Sequence, residues 1–307
     1  MNTDRTCGCK SFRTCKICEE ELGIKPREDW GKQLKDENRE FYEYNGKTGS
    51  SFALDDPEKS FEFPGIRIIN DFVSLEEEKS LVASLDELPW DLSQSGRRKQ
   101  NFGPRANFKK RKAKNGPFKG FPACTKFIQE RFKTVPMLES YRTVEQCSIE
   151  YKPETGAAIE PHIDDCWIWG ERIVQLNLLS PTYLTCTPHM GGRDKYNLAE
   201  VETYPKIISC DNQVIYNPFN EKHSTSVFEF SASKFPENSV VKIPLPARSL
   251  LVMYGSARYE WEHSILREDI TDRRVVIAYR EFTPPYLPGG DDYKVGTEVL
   301  KNAELFW

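Results

Sequence analysis

No stretch of this chain approaches the ~20 consecutive apolar residues of a membrane-spanning helix, and none of the runs between its charged residues offers one. Charge of one sign is not in excess either. The net charge is -4, which gives no global case for nucleic acid, although local charge can depart from the mean. Histidine is scarce, at four in 307 residues. The nine cysteines are an odd number. Five of them (Cys124, Cys147, Cys166, Cys186 and Cys210) are scattered, which fits a reducing compartment better than a disulfide framework. The start, MNTDRTCGCKSFRTCKICEEE, is polar and does not read as a secretory signal. A soluble globular protein of the cytoplasm, the nucleus or both is expected.

Residues 1–22 read as a separate cysteine-rich module and 23–60 as a polar linker. Residues 61–144 read as an N-terminal extension. Within it Ile66, Ile68 and Phe72 alternate like a strand, and Ser74-Leu-Glu-Glu77 is a capping box opening a helix with Leu81, Val82 and Leu85 on its apolar side. Pro89 ends that helix. From 145 to 285 the chain breaks into short β-rich runs, among them QCSIEYKP, RIVQLNLLSP, SVVKIPLP, SLLVMYG and RRVVIAYREF, bounded by Pro, Gly and Ser. Many short strands with few helical patterns between them predict a mainly β domain, an antiparallel sandwich or jelly roll with flanking helices. An irregular polar insertion, 187–235, interrupts it, and 286–307 forms a tail. Such long loops are commonly functional or disordered.

His162 and Asp164, in EPHIDDCWIWGER, are two apart. In extended backbone such side chains share a face, so an imidazole and a carboxylate converge on one ion. The same pattern alone also describes a hydrogen-bonded polar turn. His189 and His223 lie in the insertion, whereas His263 follows the strong strand pattern SLLVMYG and is the preferred third ligand. Two His and one carboxylate leave an open face, the facial triad of non-haem Fe(II) oxygenases. In RRVVIAYREF, Arg274, Val276, Ala278 and Arg280 share one strand face, with small residues leaving room between the two arginines. Arg274 is assigned the distal carboxylate of a dicarboxylate co-substrate, where a bidentate contact is favoured. Arg280 is assigned to the substrate side or to a structural ion pair.

The order His162-x-Asp164, His263, Arg274-x5-Arg280 resembles the AlkB family of Fe(II)/2-oxoglutarate-dependent dioxygenases. FPGIRIINDFVSLEEEKSLV, SGRRKQNFGP and EYKPETGAAIEPHIDD resemble its entry strand and helix, its substrate flap and its metal-bearing strand and loop. The likeness spans residues 60–285. It implies a double-stranded β-helix, Fe(II), 2-oxoglutarate and O₂ as cofactors, and oxidative N-demethylation releasing formaldehyde, succinate and CO₂. It implies that Tyr151 hydrogen-bonds 2-oxoglutarate and that Phe102 and Gly103 lie over the mouth of the site. Two positions depart from the family pattern. Ile149 stands where an Asn is frequent, and Cys166 stands where some nucleic-acid members carry a carboxylate. Asp165 is a candidate substrate contact. The branch that the chain resembles implies a methyl-lysine of a protein, actin or actomyosin in particular, or N6-methyladenine in DNA.

Cys7, Cys9, Cys15 and Cys18 place four thiols within 12 residues, a set that fits a tetrahedral structural zinc, with free thiols or a redox pair as the alternative. A polar segment of this size has no core of its own and is expected to fold around the metal. Module and iron site are expected to be separable. Residues 96–120 carry ten Lys or Arg and no acid. Arg97 and Arg98 head this segment, and Phe102 and Phe108 add stacking faces. It suits phosphates, an acidic protein or a nuclear-localisation signal, and equally a solvated loop. The protein is expected to be a monomer and a demethylase. The rival expectation is a zinc-anchored interaction scaffold with a catalytically minor core.

Overall fold

The computed structural model describes residues 7–10, 13–25, 34, 38–209, 211–220, 226–230 and 235–307. His223 and Cys210 lie outside the described residues. The architecture is mostly β. In chain order the strands are β1 (Glu40–Asn45), β2 (Ser50–Ala53), β3 (Ser60–Glu62), β4 (Ile66–Ile69), β5 (Asp91–Leu92), β6 (Arg98–Phe102), β7 (Arg105–Asn107), β8 (Lys112–Lys114), β9 (Glu145–Tyr151), β10 (Ile159–His162), β11 (Trp169–Leu178), β12 (Thr182–Pro188), β13 (Ser239–Leu245), β14 (Leu250–Met253), β15 (Trp261–Ile265) and β16 (Arg274–Phe282). One sheet runs β10-β15-β12-β13-β1-β2-β3, the other β4-β14-β11-β16-β9-β6-β5, and β7-β8 is a separate hairpin. Pairing is antiparallel except for β1 beside β13.

The two sheets enclose one core. Leu184, Ile243 and Trp261 of the first sheet cluster there with Ile173, Leu251 and Val276 of the second. The middle of the second sheet is apolar on both faces, because β14 (LLVM) and the central parts of β11 and β16 are Val/Ile/Leu-rich. Its outer face (Val174, Leu176, Val252, Ile277) packs on Leu81, Val82 and Leu85 and on Ile128 and Phe132. Those leucines belong to the helix Leu75–Asp86. The capping box closes it as the sequence predicts, with Glu77 N donating to Ser74 Oγ and Ser74 N to Glu77 Oε2. Arg172, fully buried, forks onto Glu281 and also donates to Met137 O, which fastens the turn at 136–138 to the sheet.

Residues 40–62, within the stretch read as a linker, form β1, β2 and β3. EFYEYN buries Tyr42 and Tyr44 in alternation. The exposed Glu43 and Asn45 make such a strand look polar in composition, although its period is two.

Candidate active site

β10 and β15 pair antiparallel with His162 opposite His263. Directly opposed residues share a sheet face, and the two imidazole centroids lie 4.4 Å apart. His162 Nδ1 meets the Glu160 carbonyl at 2.8 Å. A carbonyl only accepts, so Nδ1 carries the proton and Nε2 keeps its lone pair for a metal. Asp164, just beyond β10, accepts at Oδ1 from Arg280 Nη2 at 3.0 Å. Its Oδ2 and His263 Nδ1 are buried without a hydrogen-bond partner. Buried polar atoms left unpaired need a ligand. Burial pulls both imidazoles down, His263 well below its ordinary value, so they stand neutral. Burial works against the Asp164 charge, yet Arg280 holds it well below the usual carboxylate range. Two neutral imidazoles and one carboxylate fit an Fe(II) facial triad.

His189 sits elsewhere. Its Nδ1 meets Glu262 Oε1 at 3.1 Å, where Lys195 and Tyr196 also donate. Glu262 adjoins His263 in β15 and therefore points to the opposite face.

Arg274 is almost fully buried on β16, opposite Tyr151 of β9. Its guanidinium carbon lies 4.9 Å from the Tyr151 ring centroid, and its Nε donates to Asn177 Oδ1 at 2.6 Å. Both terminal nitrogens are buried with no hydrogen bond of normal geometry, although Tyr151 is near enough to favour the charge. Burial pulls its pKa down to about 10, so it remains a cation at neutral pH. A fork of unused donors on a buried cation fits one carboxylate of a dicarboxylic acid. Asn177 Nδ2 in turn donates to the Ser180, Leu245 and Pro246 carbonyls. This residue sets the angle of Arg274 and is absent from the residues that sequence reasoning selects. Its trace is a polar residue inside the apolar run RIVQLNLL.

Arg280 bridges Glu145 (Nη1–Oε2, 2.6 Å) and Asp164. Of the two roles expected for it, the ion pair is the one formed. Glu145 is buried, which raises its pKa against the pull of Arg280.

β6 pairs with β9, Lys99 opposite Ile149 and Asn101 opposite Cys147. Ile149 and Cys147 share the Tyr151 and Glu145 face, so Lys99 and Asn101 face the triad side. Lys99 is close enough for its charge to act on Glu145. Arg98, Gln100 and Phe102 take the other face. Arg98 forks onto Glu150, Gln100 donates to Leu85 O, and Phe102 lies against Trp307. Gly103 lets the strand end against Glu145, since a Cβ there would meet Glu145 Cγ at 2.9 Å. Arg97 lies near enough to His162 for its charge to lower that imidazole further.

Asp165 Oδ1 accepts from Asn197 Nδ2 at 2.9 Å, and Arg111 Nη1 donates to Asn197 Oδ1 and to Glu200 Oε1. Phe108 meets Trp167 edge-on, yet stays half exposed. The tip of the basic β7-β8 hairpin therefore meets Trp167 directly and is linked to Asp165 through Asn197.

The four N-terminal thiols come together, with all sulfurs within 4.8 Å of one another and Cys15 and Cys18 at 3.8 Å. A tetrahedron with Zn–S bonds of about 2.3 Å has edges of this length. Burial pushes the Cys15 and Cys9 thiols up, so a thiolate set needs a cation. The cluster docks on the catalytic domain: Lys16 N donates to Thr155 O, Arg13 to Glu160 and Gln94, and Arg267 to Glu19. Gly96 has φ +72°, and a Cβ there would stand 2.6 Å from Thr155 O and 3.1 Å from Cys15 Cβ.

No family model matches the chain. Among curated proteins it is 42% identical to the human "Alpha-ketoglutarate-dependent dioxygenase alkB homolog 4", over 98% of this chain and 94% of that protein. The chain belongs to the AlkB family of 2-oxoglutarate-dependent dioxygenases. The mouse alkB homolog 4 is 38% identical with the same coverage of both chains. A Caenorhabditis elegans relative named "DNA N6-methyl adenine demethylase" is 28% identical over 99% of this chain and 96% of its own. Fe(II), O₂ and 2-oxoglutarate are the cofactors that go with membership of this family.

Proposed function

We propose that this AlkB-type enzyme removes N-methyl groups from a macromolecule, either N6-methyladenine in DNA or a methyl-lysine of an acidic protein such as actin. The observation that carries this reading is the basic hairpin, whose Arg111 reaches Asp165 through Asn197 beside the triad. An exposed aromatic, Phe108, flanked by Lys109, Lys110 and Arg111 offers a stacking face among phosphate-binding cations. The same charge attracts an acidic protein surface. When bound, Fe(II) supplies the activation of O₂. His162, Asp164 and His263 would hold it, Arg274 would fix the far carboxylate of 2-oxoglutarate, and Arg280 keeps Asp164 ionised. One oxygen atom ends in succinate as CO₂ leaves. The other enters a methyl C–H bond, and the resulting N-hydroxymethyl group breaks down to formaldehyde and the free amine. The four cysteines hold a structural zinc.

The test offers a methyl-lysine actin peptide, intact methylated actin and N6-methyladenine oligonucleotides in parallel, with formaldehyde and succinate measured together. Equal formaldehyde and succinate on one of them supports demethylation of that class. Succinate without formaldehyde on all of them, with product mass raised by one oxygen, replaces demethylation by hydroxylation. Absence of both would favour the scaffold reading.

A further inference from the structure

The strand that carries His162 is poorly held by its own sheet. β10 is four residues long, lies at the sheet edge, and every residue in it is only half-buried. Its register with β15 shifts between Ile159 and His162. It contains Pro161, which has no N–H for a ladder. An iron ligand must nevertheless be held to within about 0.5 Å to be useful.

The cysteine cluster lies where the sheet falls short. Arg13, in the loop between Cys9 and Cys15, donates from Nε to Glu160 Oε2 at 3.1 Å and from Nη1 to Gln94 Oε1 at 2.6 Å. The backbone carbonyl of the same Glu160 orients the His162 imidazole. On the other side Glu19, in the short helix that carries Cys18, takes both terminal nitrogens of Arg267 at 2.8 Å. Arg267 lies just past the end of β15, four residues after His263. Lys16 completes the grip through the Thr155 and Pro153 carbonyls, on the loop that feeds β10. The two strands that present the two imidazoles are thus each held from outside by one charged residue of the cysteine module. Among the described residues of this segment the apolar cluster is made of the four cysteines and Ile17, so its shape depends on what the thiols bind.

We propose that Arg13 and Glu19 are positioning residues for the iron histidines, set in place by the metal of the four-cysteine cage, so that cage occupancy tunes iron affinity. The inference rests on the triad reading above. It reverses the separability expected from the polar residues after the module.

The full-length protein, with zinc content confirmed at one per chain, is titrated with Fe(II) under argon in the presence of 2-oxoglutarate, following the charge-transfer absorption of the complex. Arg13→Ala and Glu19→Ala should each weaken iron binding about 2–5-fold, the range that a partly exposed ion pair supports, and the double variant about tenfold. Zinc content and the affinity for 2-oxoglutarate should stay at parent values. Arg13→Lys should recover most of the loss. Cys15→Ser with Cys18→Ser should lose zinc and weaken iron further. If that variant does not fold, the Arg13 and Glu19 variants, which keep every thiol, still decide the matter. Parent-like iron affinity in the Arg13→Ala, Glu19→Ala double variant overturns the inference. His162→Ala is the control: should it bind iron as the parent does, the triad reading itself fails, which is a different result.

Discussion

Arg280 and Asp164 are joined by a 3.0 Å hydrogen bond from Nη2 to Oδ1, and Asp164 Oδ2 on the far side has no partner among the described residues. One oxygen is held by the protein and the other is left for a ligand. Burial opposes both charges, and each outweighs that cost for the other. The carboxylate is therefore ionised and aimed before iron arrives.

His162→Ala, Asp164→Ala and His263→Ala should each abolish Fe(II) binding and turnover, because each removes one of three ligands. His189→Ala should bind iron as the parent does, since its imidazole serves Glu262 on the opposite face of β15. Anaerobic iron titration separates these outcomes. Metal loss in His189→Ala with retention in His263→Ala would show that the third ligand is misassigned.

Arg274→Ala should raise the KM for 2-oxoglutarate by a hundredfold or more, as removing one side of a buried charged pair costs about 3–5 kcal/mol. Asn177→Ala should raise it by about tenfold while leaving iron affinity unchanged, because Arg274 loses only its Nε acceptor. Steady-state succinate formation against 2-oxoglutarate concentration checks both, and a KM unchanged in Arg274→Ala counts against the clamp.

On β6 the effects should alternate. Lys99→Ala and Asn101→Ala should raise KM for the methylated macromolecule, with 2-oxoglutarate turnover in its absence intact. Arg98→Ala should instead lower stability, since it leaves Glu150, which is 2% exposed, with fewer cations. Kinetics and urea unfolding on the same set of variants test the alternation. Arg98→Ala with the larger kinetic effect would reverse the assignment of the two faces.

Glu171 anchors the insertion by accepting from Ile207 N at 2.6 Å, and burial pushes its pKa up to about 7. A raised folded-state pKa favours folding below the unfolded value, near 4.5, and that favour is lost as pH rises through about 7. Glu171→Gln keeps an acceptor and cannot ionise. The parent should therefore lose up to about 3 kcal/mol relative to this variant between pH 5 and pH 8. Urea unfolding at both pH values reads the difference, and parallel curves for the two proteins would contradict it.

The candidate triad could be singled out in the sequence because its information is local. His162 and Asp164 share an extended segment, and His263 follows a run that only a buried strand explains. Arg274 could be singled out from the spacing of small residues on one face of its strand. Face assignments on β6 could not, because alternation says which residues go together and not which set points inward. That is decided by β9, whose Tyr151 and Glu145 face Arg274 and Arg280. Asn177 was hidden for a related reason, since one polar residue in a strand shows its purpose only when Arg274 stands beside it. The strands at 40–62 were hidden by being short and by polar residues such as Glu43, Asn45, Ser50 and Glu62 among their apolar ones.

β1 also decides what a shorter version of this protein would become. It lies parallel along β13, from Glu40 beside Ser239 to Glu43 beside Lys242, and so closes a row of backbone donors and acceptors next to Val240 and Val241. At the end of the sheet away from β10 the border is β3, three residues long with both ends exposed, which is too short and polar to recruit another chain. A protein trimmed to begin beyond residue 45 would exchange that blunt border for the raw flank of a long valine-rich strand. Self-association through β13 would then be the first symptom, arising in a sheet whose catalytic residues were all still present.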